Sequence, residues 1–335
     1  MIVMRPSLKH FGCLAILLVA VLQSGRYSVA QDESEDNSQL RGLLNVPTPT
    51  LGGKQLWTDH FWRQDWTIQQ NALTLHWRLL DANYVRRAWG SYEACRAELD
   101  RKMPSSALKV DSVVILMHGL MRSADSMRGL GRFLEQELDC KCIYFQYAST
   151  RASISEHAAA LRDVVSSLPT NVKINFVGHS MGNIVVRHAI GDWQRAHDLV
   201  TLGRIEKVIM LGPPNQGAAI ARQLSKIGLF EFITGQGGME LGPKWTEFES
   251  SLAVPHCPFA IVAGNLDNGI TNPLVGADGD FVVSVEETKL PGATAFLEIP
   301  RLHSFIMDDS IAQTATLSFL QTGKFPARNK PEEGK

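Results

Sequence analysis

Apolar positions follow three different rhythms along this chain. Between residues 65 and 81, Leu73, Leu75, Trp77 and Leu79 alternate with Thr74, His76 and Arg78, and the turn residue Asn71 lies between two such stretches. Period-two alternation marks a strand with one buried face, so this segment reads as an antiparallel hairpin. Just upstream, Trp57, Phe61, Trp62 and Trp66 form an aromatic stripe that reads as a packing face. Ala88, Tyr92, Cys95 and Leu99 then recur at helical spacing until Pro104 stops the run. From Asp111 onward the third rhythm takes over: Val113-Val114-Ile115-Leu116-Met117 is apolar throughout, as in a strand covered on both faces. Strands are expected again at 142–147, 172–177, 207–211, 259–263 and 295–299, with helices at 125–138, 153–168, 181–190 and 308–321. Strands alternating with helices imply an α/β domain with a mostly parallel central sheet, helices on both of its faces, and the N-terminal antiparallel hairpin at one edge.

One stretch breaks this economy. Between the strands ending at Leu211 and starting near Phe259, a lid-like insertion of about 217–257 carries an amphipathic run with Ile220, Leu224 and Ile227 on one stripe, followed by Gly235, Gly237, Gly238 and Gly242. Insertions this long in a compact domain are usually functional, here as a lid or a wall of an acyl pocket; the plainer alternative is an extra packed helix.

The N-terminus has a different purpose. Arg5 and Lys9 form a positive n-region, 11–22 a short apolar core, and Ser28-Val29-Ala30 a small-x-small cleavage site before Gln31. That is the pattern of a cleaved signal peptide, and the apolar core falls short of the roughly 20 residues of a membrane span. The expected layout is therefore a signal peptide at 1–30, a flexible acidic linker at 31–55 containing Asp32, Glu33, Glu35 and Asp36, one domain at 56–325 and a disordered tail at 326–335. The mature protein is expected to be secreted or periplasmic.

A net charge of -1 supplies no basic field for nucleic acid, so the expected partner is a small molecule. Cys95, Cys140, Cys142 and Cys257 remain after cleavage and read as buried thiols with at most one disulfide. No Cys/His spacing resembles a zinc site, and Asp278-Gly279-Asp280 lacks the further oxygen ligands of a calcium loop, so neither metal nor cofactor is expected.

The chemistry concentrates in Gly178-His179-Ser180-Met181-Gly182, which lies between an apolar strand and an apolar helix start. A serine on a sharp strand-to-helix turn is lifted above the sheet, beside the first free amides of the helix. Its hydroxyl needs a base, oriented by a carboxylate. His10 lies in the signal peptide, His179 and His188 share the elbow's own backbone, and His118 fits an oxyanion loop better. His303, between the last strand and the last helix, stands at the carboxyl ends of the strands and is the preferred base. Asp280 is the preferred acid because it follows the penultimate strand in the order Ser, Asp, His, with Asp267 and Asp278 as alternatives. The oxyanion donors would be the backbone N–H groups of Leu120 and Met181.

Taken together, His118-Gly119, the Ser180 elbow, Pro214-Asn215-Gln216-Gly217, the Asp280 segment and His303-Ser304-Phe305 resemble the α/β-hydrolase superfamily, in its lipase and esterase branch. The resemblance spans roughly 110–322 and departs from the family at Phe281, where a glycine commonly follows the acid. It implies an α/β-hydrolase fold with a lid in the long insertion, and a serine hydrolase acting on a small-molecule or lipid ester. Transient contact with a lipid interface is compatible with it, and no protein partner is implied. The alternatives are amide or thioester cleavage by the same three groups and a catalytically silent binding protein on this fold.

Overall fold

Six strands, β6 (Ser112–Met117), β7 (Lys141–Phe145), β8 (Lys173–His179), β9 (Ile205–Leu211), β10 (Phe259–Gly264) and β11 (Ala295–Ile299), hydrogen-bond in the order β11-β10-β9-β8-β6-β7, every pair parallel. The structure is a computed structural model and describes residues 48–49, 54–104, 111–218, 237–266 and 279–327. The expected signal peptide, most of the 31–55 linker, the insertion from 219 to 236, Asp267, Asp278 and the tail beyond 327 lie outside these residues.

The chain first builds an antiparallel sheet. Its strands are β1 (Thr48–Pro49), β2 (Trp57–Arg63), β3 (Trp66–Asn71), β4 (Trp77–Leu80) and β5 (Val85–Gly90), in the spatial order β1-β5-β4-β3-β2. The hairpin is present as β3 and β4 and grows into a sheet of its own. The aromatic stripe supplies β2, while β1 pairs with β5 inside the segment read as linker, so regular structure begins earlier than 56. Leu73 and Leu75 are not strand residues: they are 62% and 64% exposed in the β3–β4 turn. Asn71 Oδ1 accepts from the amides of Leu73 and Thr74, both at 3.0 Å, which withdraws that stretch from the ladder. Helix α1 (Tyr92–Lys102) then closes over Phe61, Ile68, Leu79 and Ala88 with Cys95 and Leu99.

In the parallel sheet, residues of one parity, such as Ile115, Phe176, Met210 and Ile261, pack under helices α3 (Ile154–Ser167) and α4 (Met181–Arg195). Those of the other parity, including Leu116, Val177, Leu211 and Val262, meet α2 (Arg128–Glu137) and α5 (Ser310–Thr322). Burial on both faces is why these strands read as unbroken apolar runs. Helix α3 starts at a capping box between Ser153 and Glu156. Among the described residues, no helix is long and apolar enough to cross a membrane, and all four cysteines are thiols.

Candidate active site

Three strand ends and the loops leaving them converge on Ser180. The residue sits at φ 54° and ψ -126°, between the last residue of β8 and the first of α4. A side chain at positive φ is strained by about 1–3 kcal/mol, and the surroundings hold it there. Ser180 N donates to Leu211 O at 2.9 Å, while Asn183 Nδ2 donates to Ser180 O and Leu211 O at 3.1 and 3.3 Å. The glycines of the motif are required by close approach: a Cβ on Gly178 would lie 2.2 Å from Asn183 Oδ1, and one on Gly182 would lie 2.7 Å from His118 O.

His303 opens a 3-10 turn (His303–Asp308) just past β11. The Ser180 hydroxyl lies 2.9 Å from His303 Nε2, and His303 Nδ1–H donates to Asp280 Oδ2 at 2.6 Å. Asp280 is fully buried, and its other oxygen accepts from Val282 N at 3.0 Å and Val283 N at 2.8 Å. Its backbone carbonyl also accepts from His303 N at 3.0 Å, so acid and imidazole are fixed to each other twice. Phe281 takes φ 77°, a left-handed conformation that a glycine adopts without strain and a phenylalanine does not. The structure thus brings Ser180, His303 and Asp280 into one hydrogen-bonded line; the alternative acids Asp267 and Asp278 fall outside the described residues.

The His118-Gly119-Leu120 loop passes directly against the serine, since a Cβ on Gly119 would lie 3.0 Å from Ser180 Cβ. His118 is buried and stacks on Tyr147 at 4.0 Å. Burial lowers its pKa to about 4, keeping the ring neutral. Nδ1–H donates to Gly119 O at 2.9 Å, Nε2 accepts from Tyr147 N at 3.4 Å, and Tyr147 OH donates to His118 O. Because the peptide is planar and trans, holding the Gly119 carbonyl toward His118 turns the Leu120 N–H the opposite way. Met181, the other expected donor, supplies the first amide of α4 and is buried.

Sequence reasoning set His179 aside because it cannot reach back to Ser180. It reaches forward instead, with Nε2 at 2.9 Å from His303 O, and burial pushes its pKa well down, so it donates as a neutral ring. Tyr147 and Asn183 were also missed, since nothing in local spacing reveals a contact between distant loops. Asn215, from the Pro-Asn-x-Gly turn, is structural: it accepts from Arg187 at 3.2 Å and donates to Thr288 O at 2.8 Å. The insertion closes at its base, where Ala218 N donates to Leu241 O at 2.9 Å. Its described half packs Leu241 and Trp245 into the core, and a Cβ on Gly237 would lie 3.0 Å from Met181 Sδ.

A six-stranded parallel sheet clad by helices carries a serine at the elbow after its third strand in sequence order and a histidine after its last, the order that the sequence resemblance to the α/β-hydrolases implies. Residues 108–234, which include the elbow, match the family described as "Putative serine esterase (DUF676)", and this match supports an ester hydrolase. No curated protein matches the sequence. Among solved structures, a metagenomic carboxyl esterase, MGS0156, is similar at 16% identity and a TM-score of 0.47, over 61% of this chain and 68% of that one. The mature lipase BlEst2 of Bacillus licheniformis is similar at 18% identity and a TM-score of 0.47, over 66% and 95%. The phospholipase PlaB of Legionella pneumophila is similar at 18% identity and a TM-score of 0.45, over 65% and 57%.

Proposed function

We propose that this chain is an exported serine hydrolase that cleaves carboxylic esters through a Ser180, His303, Asp280 triad. Ser180 Oγ attacks the ester carbonyl as His303 Nε2 takes its proton, and Asp280 holds the imidazole in the required tautomer. The tetrahedral oxyanion is met by the Leu120 and Met181 amides, and the protonated imidazole passes its proton to the departing alcohol. Water, activated by the same imidazole, then releases the acid from the acyl-enzyme. The observation that carries this reading is the continuous line of hydrogen bonds from Ser180 through His303 to Asp280.

The apolar stripe of the insertion, together with Leu241 and Trp245 packed into the core that also holds Met181, favours an ester with a hydrophobic acyl group and a site that works against lipid. A fluorophosphonate probe should label the protein at Ser180, and Ser180→Ala should lose both labelling and turnover, the latter on the order of a millionfold. Failure of the folded native chain to label overturns the proposal. A series of p-nitrophenyl esters from acetate to palmitate, with and without an oil interface, tests the acyl preference; sharp preference for short soluble esters refutes the lipid reading. Export is tested by the N-terminus of the mature protein, expected at Gln31.

A further inference from the structure

A cavity of about 500 Å³ opens between the antiparallel sheet and β7, the edge strand of the parallel one. None of its lining residues belongs to the Ser180 site. Four carboxylates and four cationic side chains line it, and their pairing is uneven. Asp59 accepts from Gln69 Nε2 at 2.7 Å and from Gln146 N at 2.8 Å. Asp65 and Glu135 share Lys141 at 3.0 and 3.3 Å, and Asp125 accepts from Arg128 Nε at 2.8 Å. Each acid is thus committed, whereas Arg78, held through Nε and facing the charge of Asp59, keeps its terminal nitrogens, and Arg132 has no acceptor among the described residues.

Arg78 is the more telling of the two. It is 7% exposed, its Nε donates to Gln69 Oε1 at 2.8 Å, and its guanidinium lies 3.8 Å over the Trp57 ring. Among the described residues, no group accepts from its terminal nitrogens. Burial lowers its pKa to about 10, which leaves it charged at neutral pH. With Nε spent on Gln69, the terminal nitrogens keep donors for an acceptor that enters the cavity. Arg132 stands exposed on α2, one turn beyond Arg128, and also has no acceptor among the described residues. Trp62, Tyr84 and Tyr144 add aromatic wall to the same cavity.

We infer that this cavity is a second small-molecule site, built for an oxyanion carried on an aromatic or aliphatic body, with Arg78 at its floor and Arg132 at its mouth. The planar guanidinium fork suits a carboxylate and a phosphate monoester alike, and the aromatic side chains cover the attached body. This assignment is independent of the chemistry proposed at Ser180.

Calorimetric titration of the full chain with phenyl phosphate, benzoate and phenol tests it, since the three probes share one body and differ in the oxyanion. Saturable one-to-one binding of phenyl phosphate or benzoate, but not of phenol, is expected, and the tighter of the two identifies the source of the anion. Arg132→Ala should weaken that binding about tenfold and Arg78→Met by more, the range for loss of a charge-assisted hydrogen bond. Near-ultraviolet circular dichroism shows whether the buried substitution still folds; if it does not, Arg132→Ala decides alone. Unchanged affinity in Arg132→Ala, binding of phenol as tight as that of the anions, or no binding of either anion at millimolar concentration overturns the inference.

Discussion

His179 donates through Nε2 to the backbone carbonyl of His303 at 2.9 Å, a contact across 124 residues of sequence. The residue before the serine thereby anchors the loop that carries the proposed base, so nucleophile and base are referenced to one piece of backbone. His179→Phe keeps a ring and removes the donor. It should cost about 1–3 kcal/mol of stability, the range for an orphaned buried acceptor. With a soluble ester, kcat should fall while KM holds; an unchanged kcat would show that His179 does not position His303.

Asp280→Asn retains an oxygen for the amides of Val282 and Val283 but removes the carboxylate facing His303 Nδ1. The imidazole then loses its preferred tautomer, and kcat should drop by roughly four orders of magnitude with the fold intact. Single-turnover rates together with a thermal melt check this. A drop of less than tenfold would assign the acid elsewhere.

The oxyanion loop makes a sharper prediction. His118→Phe preserves the stack on Tyr147 but loses the donor to Gly119 O, leaving the peptide that orients Leu120 N–H held by Arg122 N alone, at 3.2 Å. His118→Asn gives up the stack and keeps a donor near the Nδ1 position. Turnover should fall by about 10²–10³ in the first and recover substantially in the second, as expected when one oxyanion donor is lost. Equal losses in both variants would assign His118 to packing alone.

Acid should destabilise this fold from an unusually high pH. Burial lowers the pKa of His118 from 6.5 to about 4 and that of His157 to about 3, and pushes His179 well down. A depressed folded pKa contributes stability that is present above 6.5 and is lost as pH falls through the folded value, roughly 3 kcal/mol for His118. Asp59 acts in the opposite direction. Burial raises it from 3.8 to about 6, so its contribution is present below 3.8 and lost as pH rises through 6. Three histidines outweigh one aspartate, so unfolding near pH 5 should take up protons net. Urea midpoints at pH 7, 5.5 and 4.5 measure that slope, and His157→Gln should flatten it. A slope unaltered by that substitution would place the acid sensitivity in other groups.

The parallel sheet was readable because a strand buried on both faces leaves no polar position to obscure it, as in Val113 to Met117. The place of Ser180 and His303 at strand ends was legible, as was the position of Asp280 between them in the chain, and these three side chains lie within hydrogen-bonding distance. The extra strands of the N-terminal sheet were not legible. In β2 the register shifts between Asp59 and Phe61, which breaks the alternation that would have announced it. In the β3–β4 turn, Leu73 and Leu75 prolonged the alternation past the point where Asn71 ends the ladder. His179, Tyr147 and Asn183 act through backbone atoms of other loops, and such contacts leave no periodic trace.

The junction of β2 with β7 bears on how much of the chain is needed for solubility. Asp59 N donates to Gln146 O at 2.9 Å, Gln146 N donates to Asp59 Oδ2 at 2.8 Å, and Ala148 N donates to Thr58 Oγ1 at 3.1 Å, just where β7 ends. Trp62, one turn of pleat further on, is buried with the residues that cover β7, and Ser167 ties its backbone to the end of α3. The N-terminal sheet therefore covers the end of β7, one of the two margins of the parallel sheet, and keeps those backbone groups from pairing with a neighbouring chain. A fragment cut back to residues 111–327 would retain Ser180, Asp280 and His303 yet expose that margin, and self-association, not loss of chemistry, would be its first failure.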